Sequence, residues 1–397
     1  MIILALNAGS SSLKFSVLDT AQGSKLIDGR VEKLSTGAPE GQIETSSSDS
    51  VDFSLSEDSH KAAIIEVIQR INTYLDAHQL SLGAIGHRVV HGGDLFSNAV
   101  SITEEVIAEI HRLSPLAPLH NPANATVIEA AFEQFPDLPQ VAVFDTAFHQ
   151  TISEEVFRYA VPNEWYEKLK VRRYGFHGTS HSYVSRRAIE LFGLCPDSSN
   201  LIIAHLGNGC SATAVHGGKS VDTTMGLSPL EGFVMGTRSG NVDPNLHSYI
   251  ANQTDLSLEQ ITDILNKKSG LLALSGGFSD MRAIHQEAAN GSAEATLAIS
   301  VFIYRLAKEI IALLAALPGK LDAIVFTGGI GENDAYVRSQ ICKRLHFLGL
   351  ELDKEENSIR RSTERQISSS SSEGSLIAAI IPTNEELEIA IQTESTL

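Results

Sequence analysis

Two short stretches about 200 residues apart repeat one pattern, and the repeat limits the fold more than any other feature. Residues 2–6 are an apolar run, 7–12 (NAGSSS) a polar turn with a glycine, and 13–17 an alternating return, which together read as a β-hairpin. Residues 200–206 are again apolar, 207–211 (GNGCS) again form a glycine-bearing turn, and 213–221 alternate as a hairpin around Gly217-Gly218. Moved by 200 positions without a gap, Ile2 falls on Ile202, Ile3 on Ile203, Leu6 on Leu206, Gly9 on Gly209 and Ser11 on Ser211. Two explanations fit. Strand–turn–strand composition can converge, or a duplicated domain sets one polar turn from each half against a shared ligand. A chain of 397 residues has the length of two domains.

Between and beyond the hairpins the pattern is mixed α/β. Helical spacing puts Ile64, Ile68, Ile71 and Leu75 on one face of residues 60–79. Residues 84–90 read as a strand ending in HRVVHGG. Residues 103–113 read as a helix capped by Thr103, with Glu104 and Glu105 in its first turn. Residues 136–144 lead into a strand that ends at Asp145, and 322–326 form a strand running into TGGIGEN. Residues 35–60 are expected to be peripheral strands or loop, and the serine run 368–372 a solvated loop.

Charge narrows the partners. Lys plus Arg is 30 and Asp plus Glu is 48, a net charge of −18, which disfavours nucleic acid because phosphate needs a basic face. A small anion is then expected to be held by a few named cations. Cys195, Cys210 and Cys342 are too sparse for a disulfide framework and point to a reducing compartment. The first residues lack a basic n-region, and residues 295–317 are interrupted by Arg305, Lys308 and Glu309. A buried amphipathic helix, no membrane partner and a cytoplasmic location are expected.

Several familiar motifs fail. Residues 217–220 (GGKS) end like a P-loop, but Thr213 stands where its first glycine belongs. Gly207-x-Gly209 follows a strand, yet the next segment alternates where a dinucleotide fold needs a helix. His87/His91 and His177/His181 have zinc-like spacing without the glutamate of HExxH, and nearby glycines 92, 93, 175 and 178 suggest loops. Glycine-rich turns around Gly9, Gly209 and Gly329, the first with Ser10, Ser12 and Lys14, suit phosphate because no Cβ blocks the backbone N–H groups. Arg88, His120, His177, His205 and Arg238 are expected in strand-end loops, a set that collects negative charge. Asp145 is a turn cap or a catalytic or metal-linked acid. Glu385 is a helix N-terminal charge or a magnesium ligand.

The strings NAGSSSLKF, GHRVVHGG, PLHNP, VFDTAFH, RRYGFHGTSH, AHLGNGCS, MGTRSGNVDP, FTGGIGEN and PTNEE, in this order from residue 7 to 386, resemble the acetate kinase family. The resemblance implies an α/β fold of two ribonuclease-H-like, actin-like ATPase domains flanking a nucleotide cleft. It implies domains at 1–148 with a returning helix 385–397, and at 149–384, and a homodimer. The implied reaction is reversible transfer of the γ-phosphoryl group of ATP to acetate, giving acetyl phosphate and ADP, with Mg2+ or Mn2+. By resemblance Arg88 and Arg238 clamp the carboxylate and the equatorial oxygens, and His177 donates to the transferring group. Asp145 is expected to orient an arginine or hydrated magnesium, and Asn7 and Glu385 to support the metal. Lys14, His205, Leu206, Gly207, Asn208 and Gly209 are expected at the phosphates. Asp280, Met281 and Arg282 are expected at the ribose and adenine, and Gly328, Gly329, Ile330, Gly331 and Glu332 to complete the adenosine pocket. Val90, Leu119, Phe176 and Pro229 would face the apolar end of the acid. The alternatives are a propionate or other short-chain acyl kinase, and a non-catalytic actin- or Hsp70-like switch. A sugar kinase would need a polar wall where this one is apolar.

Overall fold

The computed structural model describes residues 1–46, 50–369 and 375–397. The chain forms two compact units, one of residues 1–150, 178–180 and 384–397, the other of 151–177 and 181–383.

In the first unit, the described strands are β1 (Ile2–Ala8), β2 (Leu13–Asp19), β3 (Ser24–Glu32), β4 (Glu40–Thr45), β5 (Ser50–Ser54), β6 (Ala84–Val89), β7 (Val100–Ser101) and β8 (Gln140–Phe144). They lie in the order β5-β4-β3-β2-β1-β6-β8-β7. β1, β2 and β3 are successive antiparallel neighbours, while β6 and β8 continue from β1 in parallel. Parallel strands are covered on both faces, so they read as continuous apolar runs. β1 divides its side chains accordingly. Leu4 and Leu6 pack with Ile64, Val67, Ile68 and Ile71 of the helix His60–His78. Ile3 and Ala5 pack with Val141, Val143, Ile389 and Ala390, the last two from the helix Glu385–Thr396. That helix lies so close to β6 that a Cβ on Gly86 would sit 2.2 Å from Thr393 Oγ1.

The second unit repeats the scheme. β9 (Asn200–Leu206), β10 (Cys210–His216), β11 (Lys219–Thr223), β12 (Ala323–Thr327), β13 (Arg365–Gln366) and β14 (Ile377–Ile380) lie in the order β11-β10-β9-β12-β14-β13. Here too three antiparallel neighbours are followed by two parallel strands. β11-β10-β9-β12-β14 thus matches β3-β2-β1-β6-β8, the ribonuclease-H-like arrangement, and the 200-residue echo marks equivalent hairpins. The helix Ala293–Leu313 buries Ala295, Ala298, Ile299, Phe302, Ile303, Leu306, Ala307, Ile310 and Leu313 on one face. No described helix is long and apolar enough to cross a membrane.

Some local expectations change. Arg88 and His205 lie inside β6 and β9, near their ends, and not in loops. His87 is likewise in β6. His177 caps the helix Gly178–Phe192 and His181 lies within it. Glycines mark the helix start there, because Gly178 packs where a Cβ would come within 2.0 Å of the Asp145 carbonyl oxygen. Gly328–Asn333 is a short helix, not a turn. The Glu332 carboxylate accepts from the Gly328 N–H at 2.8 Å, which satisfies a donor at the helix start despite three glycines. Ser368 is buried and its Oγ accepts from the Ala378 N–H at 3.0 Å, while 370–372 of the serine run lie outside the described residues.

Candidate active site

In the first unit the site grows out of strand register. Asn7 on β1 stands directly beside Lys14 on β2 and Arg88 on β6. Residues paired across a sheet share a face, so these three form one polar row near the strand ends. Asp145 follows β8 by one residue, and its N–H donates to the Val89 carbonyl at 3.0 Å. The Arg88 guanidinium meets Asp145 side-on, through its Nε and Nη2 edge. Its Nε donates to Oδ1 at 3.0 Å, its Nη2 donates to Oδ2, and its Nη1 donates to Asn7 Oδ1 at 2.9 Å. Glu385 Oε2, from the first turn of the last helix, lies 4.0 Å from Arg88 Nε. Thr179 Oγ1 also donates to Asp145 Oδ1, at 3.1 Å.

Charges here are strongly coupled. Burial works against the Arg88 charge, but the carboxylates of Asp145 and Glu385 outweigh it and raise its pKa. Burial pushes the Glu385 carboxyl up to about 7 against the pull of Arg88, and Asp145 and Glu386 add to the push. Asp145 has an almost fully buried side chain, 1% exposed. Both of its oxygens are engaged, by Arg88 and Thr179. Val90 is buried next to this row, with its N–H donating to Asn124 Oδ1 at 3.1 Å, and Leu119 is 52% exposed. His120 precedes the helix Asn121–Gln134 as its N-cap.

In the second unit a different cluster forms around the β9–β10 turn. His177 has a left-handed backbone, φ 58°, uncommon for a residue with a Cβ. Its Nδ1 lies 2.9 Å from Ser211 Oγ, and its ring is 4.4 Å from that of His205. A Cβ on Gly209 would lie 3.1 Å from Arg238 Nη1 and 3.5 Å from His177 Nε2. Glycine there leaves a space on which a guanidinium and an imidazole edge both open. Arg238 Nη1 donates to the Pro229 carbonyl at 3.4 Å, and burial lowers its pKa. Among the described residues no carboxylate pairs with Arg238. Phe176, next to His177, is 2% exposed.

A cavity of about 1070 Å³ in the same unit is lined by Gly207, Asn208, Asp280, Met281, Arg282, Gly329, Ile330 and Glu332. His205, Leu206, Gly209, Gly328 and Gly331 do not line it; Leu206 is wholly buried. Glu332 reaches the cavity, but its carboxylate braces the Gly328 and Thr383 N–H groups, the second at 3.3 Å. Sequence reading missed His285, Asp334, Tyr336, Arg338 and residues 358–360, which also line the cavity. His285 Nε2 lies 2.7 Å from Asp334 Oδ2, and that bond raises the His285 pKa. Buried Arg338 donates to the Gly331 carbonyl at 2.8 Å and to Asn357 Oδ1 and the Asn357 carbonyl at 2.8 and 2.7 Å. It ties the segment at 331 to the segment at 357.

Comparison with known proteins gives a consistent result. A family model described as the acetokinase family matches residues 2–391. The chain is 51% identical over 393 residues to an acetate kinase of Deinococcus radiodurans, covering 99% of this chain and 97% of that protein. It is 49% identical to an acetate kinase of Ectopseudomonas mendocina, covering 100% and 98%. Among solved structures, a propionate kinase from Francisella tularensis superimposes with a TM-score of 0.91 at 43% identity, with 100% of each chain covered. An acetate kinase from Porphyromonas gingivalis superimposes with a TM-score of 0.90 at 41% identity, covering 100% and 99%.

Proposed function

The chain belongs to the acetokinase family of kinases, and we propose that it transfers the γ-phosphoryl group of ATP reversibly to acetate, giving acetyl phosphate and ADP. The observation that carries this reading is Arg238. It is a half-buried guanidinium without a carboxylate partner among the described residues, and it shares the space above Gly209 with His177 Nε2. An anion completes such a site.

The chemistry asks for little else. Acetate is ionised at neutral pH, its carboxyl pKa being about 4–5, so it needs no general base. The barrier is electrostatic, because an anion must approach an anionic phosphoryl group. Positioned N–H donors relieve that repulsion, each supplying about 3–4 kcal/mol in such sites. In this reading Arg238 and Arg88 hold the carboxylate and the equatorial oxygens, His177 donates to the transferring group, and Lys14 meets the nucleotide phosphates. Asp145 holds Arg88, its two oxygens accepting from Arg88 and Thr179. The backbone at 205–209 cradles phosphate. Asp280, Met281 and Arg282 face the ribose and adenine in the cavity that Gly329, Ile330 and Glu332 also line.

Magnesium fits the residues of the first unit. Asn7 Oδ1 and the Glu385 carboxylate are hard oxygen donors, which suits magnesium. Among the described residues no group of three or more His, Cys, Asp or Glu side chains can close a metal shell, so waters and phosphate oxygens would fill it. Bound there, directly or through water, the ion would neutralise phosphate charge. The same reading takes residues 1–148 with 385–397, and 149–384, as the functional domains. A homodimer in the cytoplasm is its working form, and sedimentation tests the former.

Val90, Leu119, Phe176 and Pro229 are assigned to the methyl end of the acid. An added methylene changes discrimination by only about 1–3 kcal/mol, so propionate should react with a lower kcat/KM and butyrate scarcely at all. The deciding assay incubates protein, ATP and Mg2+ with each acid and traps acyl phosphate as hydroxamate. Acetate leading, propionate trailing and loss of signal in Arg88→Ala is the expected pattern. Equal yields from acetate and butyrate would refute the apolar wall. Tight ATP binding with no hydroxamate from any acid would favour a nucleotide-dependent switch.

A further inference from the structure

Ser211, the second residue of β10, is fully buried between two histidines. Its Oγ lies 2.9 Å from His177 Nδ1 and 2.7 Å from His181 Nε2. A serine hydroxyl carries one proton. It cannot donate to both rings, so at least one histidine must donate to it. Three arrangements satisfy that rule: His181 donates and His177 accepts, the reverse, or both donate.

For a neutral His177, the space above Gly209 selects among them. The edge of His177 that ends in Nε2 opens on that space beside Arg238 Nη1. In the proposed reaction, on which this argument rests, phosphoryl oxygens enter there, and they are acceptors only. Nε2 must then carry a hydrogen, because a bare lone pair would face oxygen. In a neutral imidazole a hydrogen on Nε2 leaves Nδ1 as an acceptor.

We infer that Ser211 and His181 are positioning residues that fix the tautomer of His177. His181 Nε2–H donates to Ser211 Oγ, Ser211 O–H donates to His177 Nδ1, and neutral His177 presents Nε2–H to the reacting group. The relay transfers no proton; it sets direction. His177 needs such a brace, since its backbone is left-handed at the mouth of the helix. Ser211 is also one of the five positions shared by the two hairpins, matching Ser11.

The test is nitrogen NMR of histidine-labelled protein, with the His177 signals among the 14 histidines assigned by a His177→Gln variant. In the wild type, His177 should show an acceptor-type Nδ1 and a protonated Nε2, and His181 a protonated Nε2. Ser211→Ala should move His177 to a mixture of tautomers. It should also lower kcat about tenfold, the effect of one lost hydrogen bond, while KM for acetate and ATP stays within about twofold. Ser211→Thr should restore both signals and rate. His181→Gln, whose amide N–H replaces Nε2–H, should keep the tautomer, and His181→Leu should lose it. A wild-type His177 that is protonated on Nδ1, or on both nitrogens, overturns the inference. So do unchanged His177 signals in Ser211→Ala. If the tautomers are as stated but no acyl phosphate forms, the relay stands and the acetate reading falls.

Discussion

If Asp145 acts only by holding Arg88, then removing Arg88 should make Asp145 dispensable for rate. A double-mutant cycle tests this directly. Arg88→Ala deletes a donor to the transition state and should lower kcat/KM by about 10²–10³-fold, or about 3–4 kcal/mol. Asp145→Asn keeps one acceptor for the guanidinium but turns an amide N–H toward the other Arg88 donor. Losing one hydrogen bond to a charged group is worth about 2 kcal/mol, so roughly a 30-fold fall is expected. In the Arg88→Ala background the same Asn substitution should lower the rate by less than about threefold. Stability should run the other way. Arg88→Ala strands a carboxylate that is 1% exposed, which costs about 3–5 kcal/mol. Asn at 145 removes that charge, so the double variant should unfold at higher urea than Arg88→Ala alone. Hydroxamate trapping reads the rates and urea titration the stabilities. Losses that multiply, with the double variant another 30-fold below Arg88→Ala, would refute the orienting role and give Asp145 its own contact with substrate or proton.

Two further outcomes are expected. Gly209 has no left-handed φ, and the nearest atoms to an added Cβ are the ends of the Arg238 and His177 side chains. Gly209→Ala should therefore leave stability within about 1 kcal/mol while lowering kcat about 100-fold, as a displacement near 1 Å does; a loss below fivefold would mean the reaction lies elsewhere. His87, buried with Nε2 donating to Gln140 Oε1 at 2.8 Å, has its pKa pushed by burial from 6.5 to about 4, the Gln140 bond opposing. The unfolded chain takes up that proton first, so stability is intact above pH 6.5 and falls by about 3 kcal/mol as pH drops toward 4. Urea titrations at pH 7 and pH 5 should show a smaller decline in His87→Gln than in the wild type, and equal declines would count against this assignment.

The hairpins were legible because a buried strand, a glycine turn and a return leave a pattern of period two. Arg88 was misplaced for the same reason. Gly92 and Gly93 look like loop residues, while Gly86, inside the strand, is small because the last helix presses on β6, a contact between residues some 300 apart. The helix at 328–333 was hidden by glycines, and its support comes from Glu332, whose role no local rule reveals. Arg338 joins the cavity wall to Gly331 and Asn357, a bond set that no motif spacing in the sequence signals. The charged and imidazole residues of each cluster stood out in the sequence because their flanking motifs are dense. Ser211 was overlooked, since a serine after a strand turn carries no chemical signature until two histidines are seen beside it.

The helix Glu385–Thr396 covers Ile3, Ala5, Val141 and Val143, yet it is made after nearly all the rest. A ribosome emits chains from the N-terminus, and domains generally fold as they emerge. Here β1 appears first and stays uncovered on one face while the whole second unit is synthesised. The later unit can finish folding before the earlier one. Throughout translation the nascent chain therefore carries an open apolar strip of paired strands, and any truncation before residue 385 makes that passing exposure permanent.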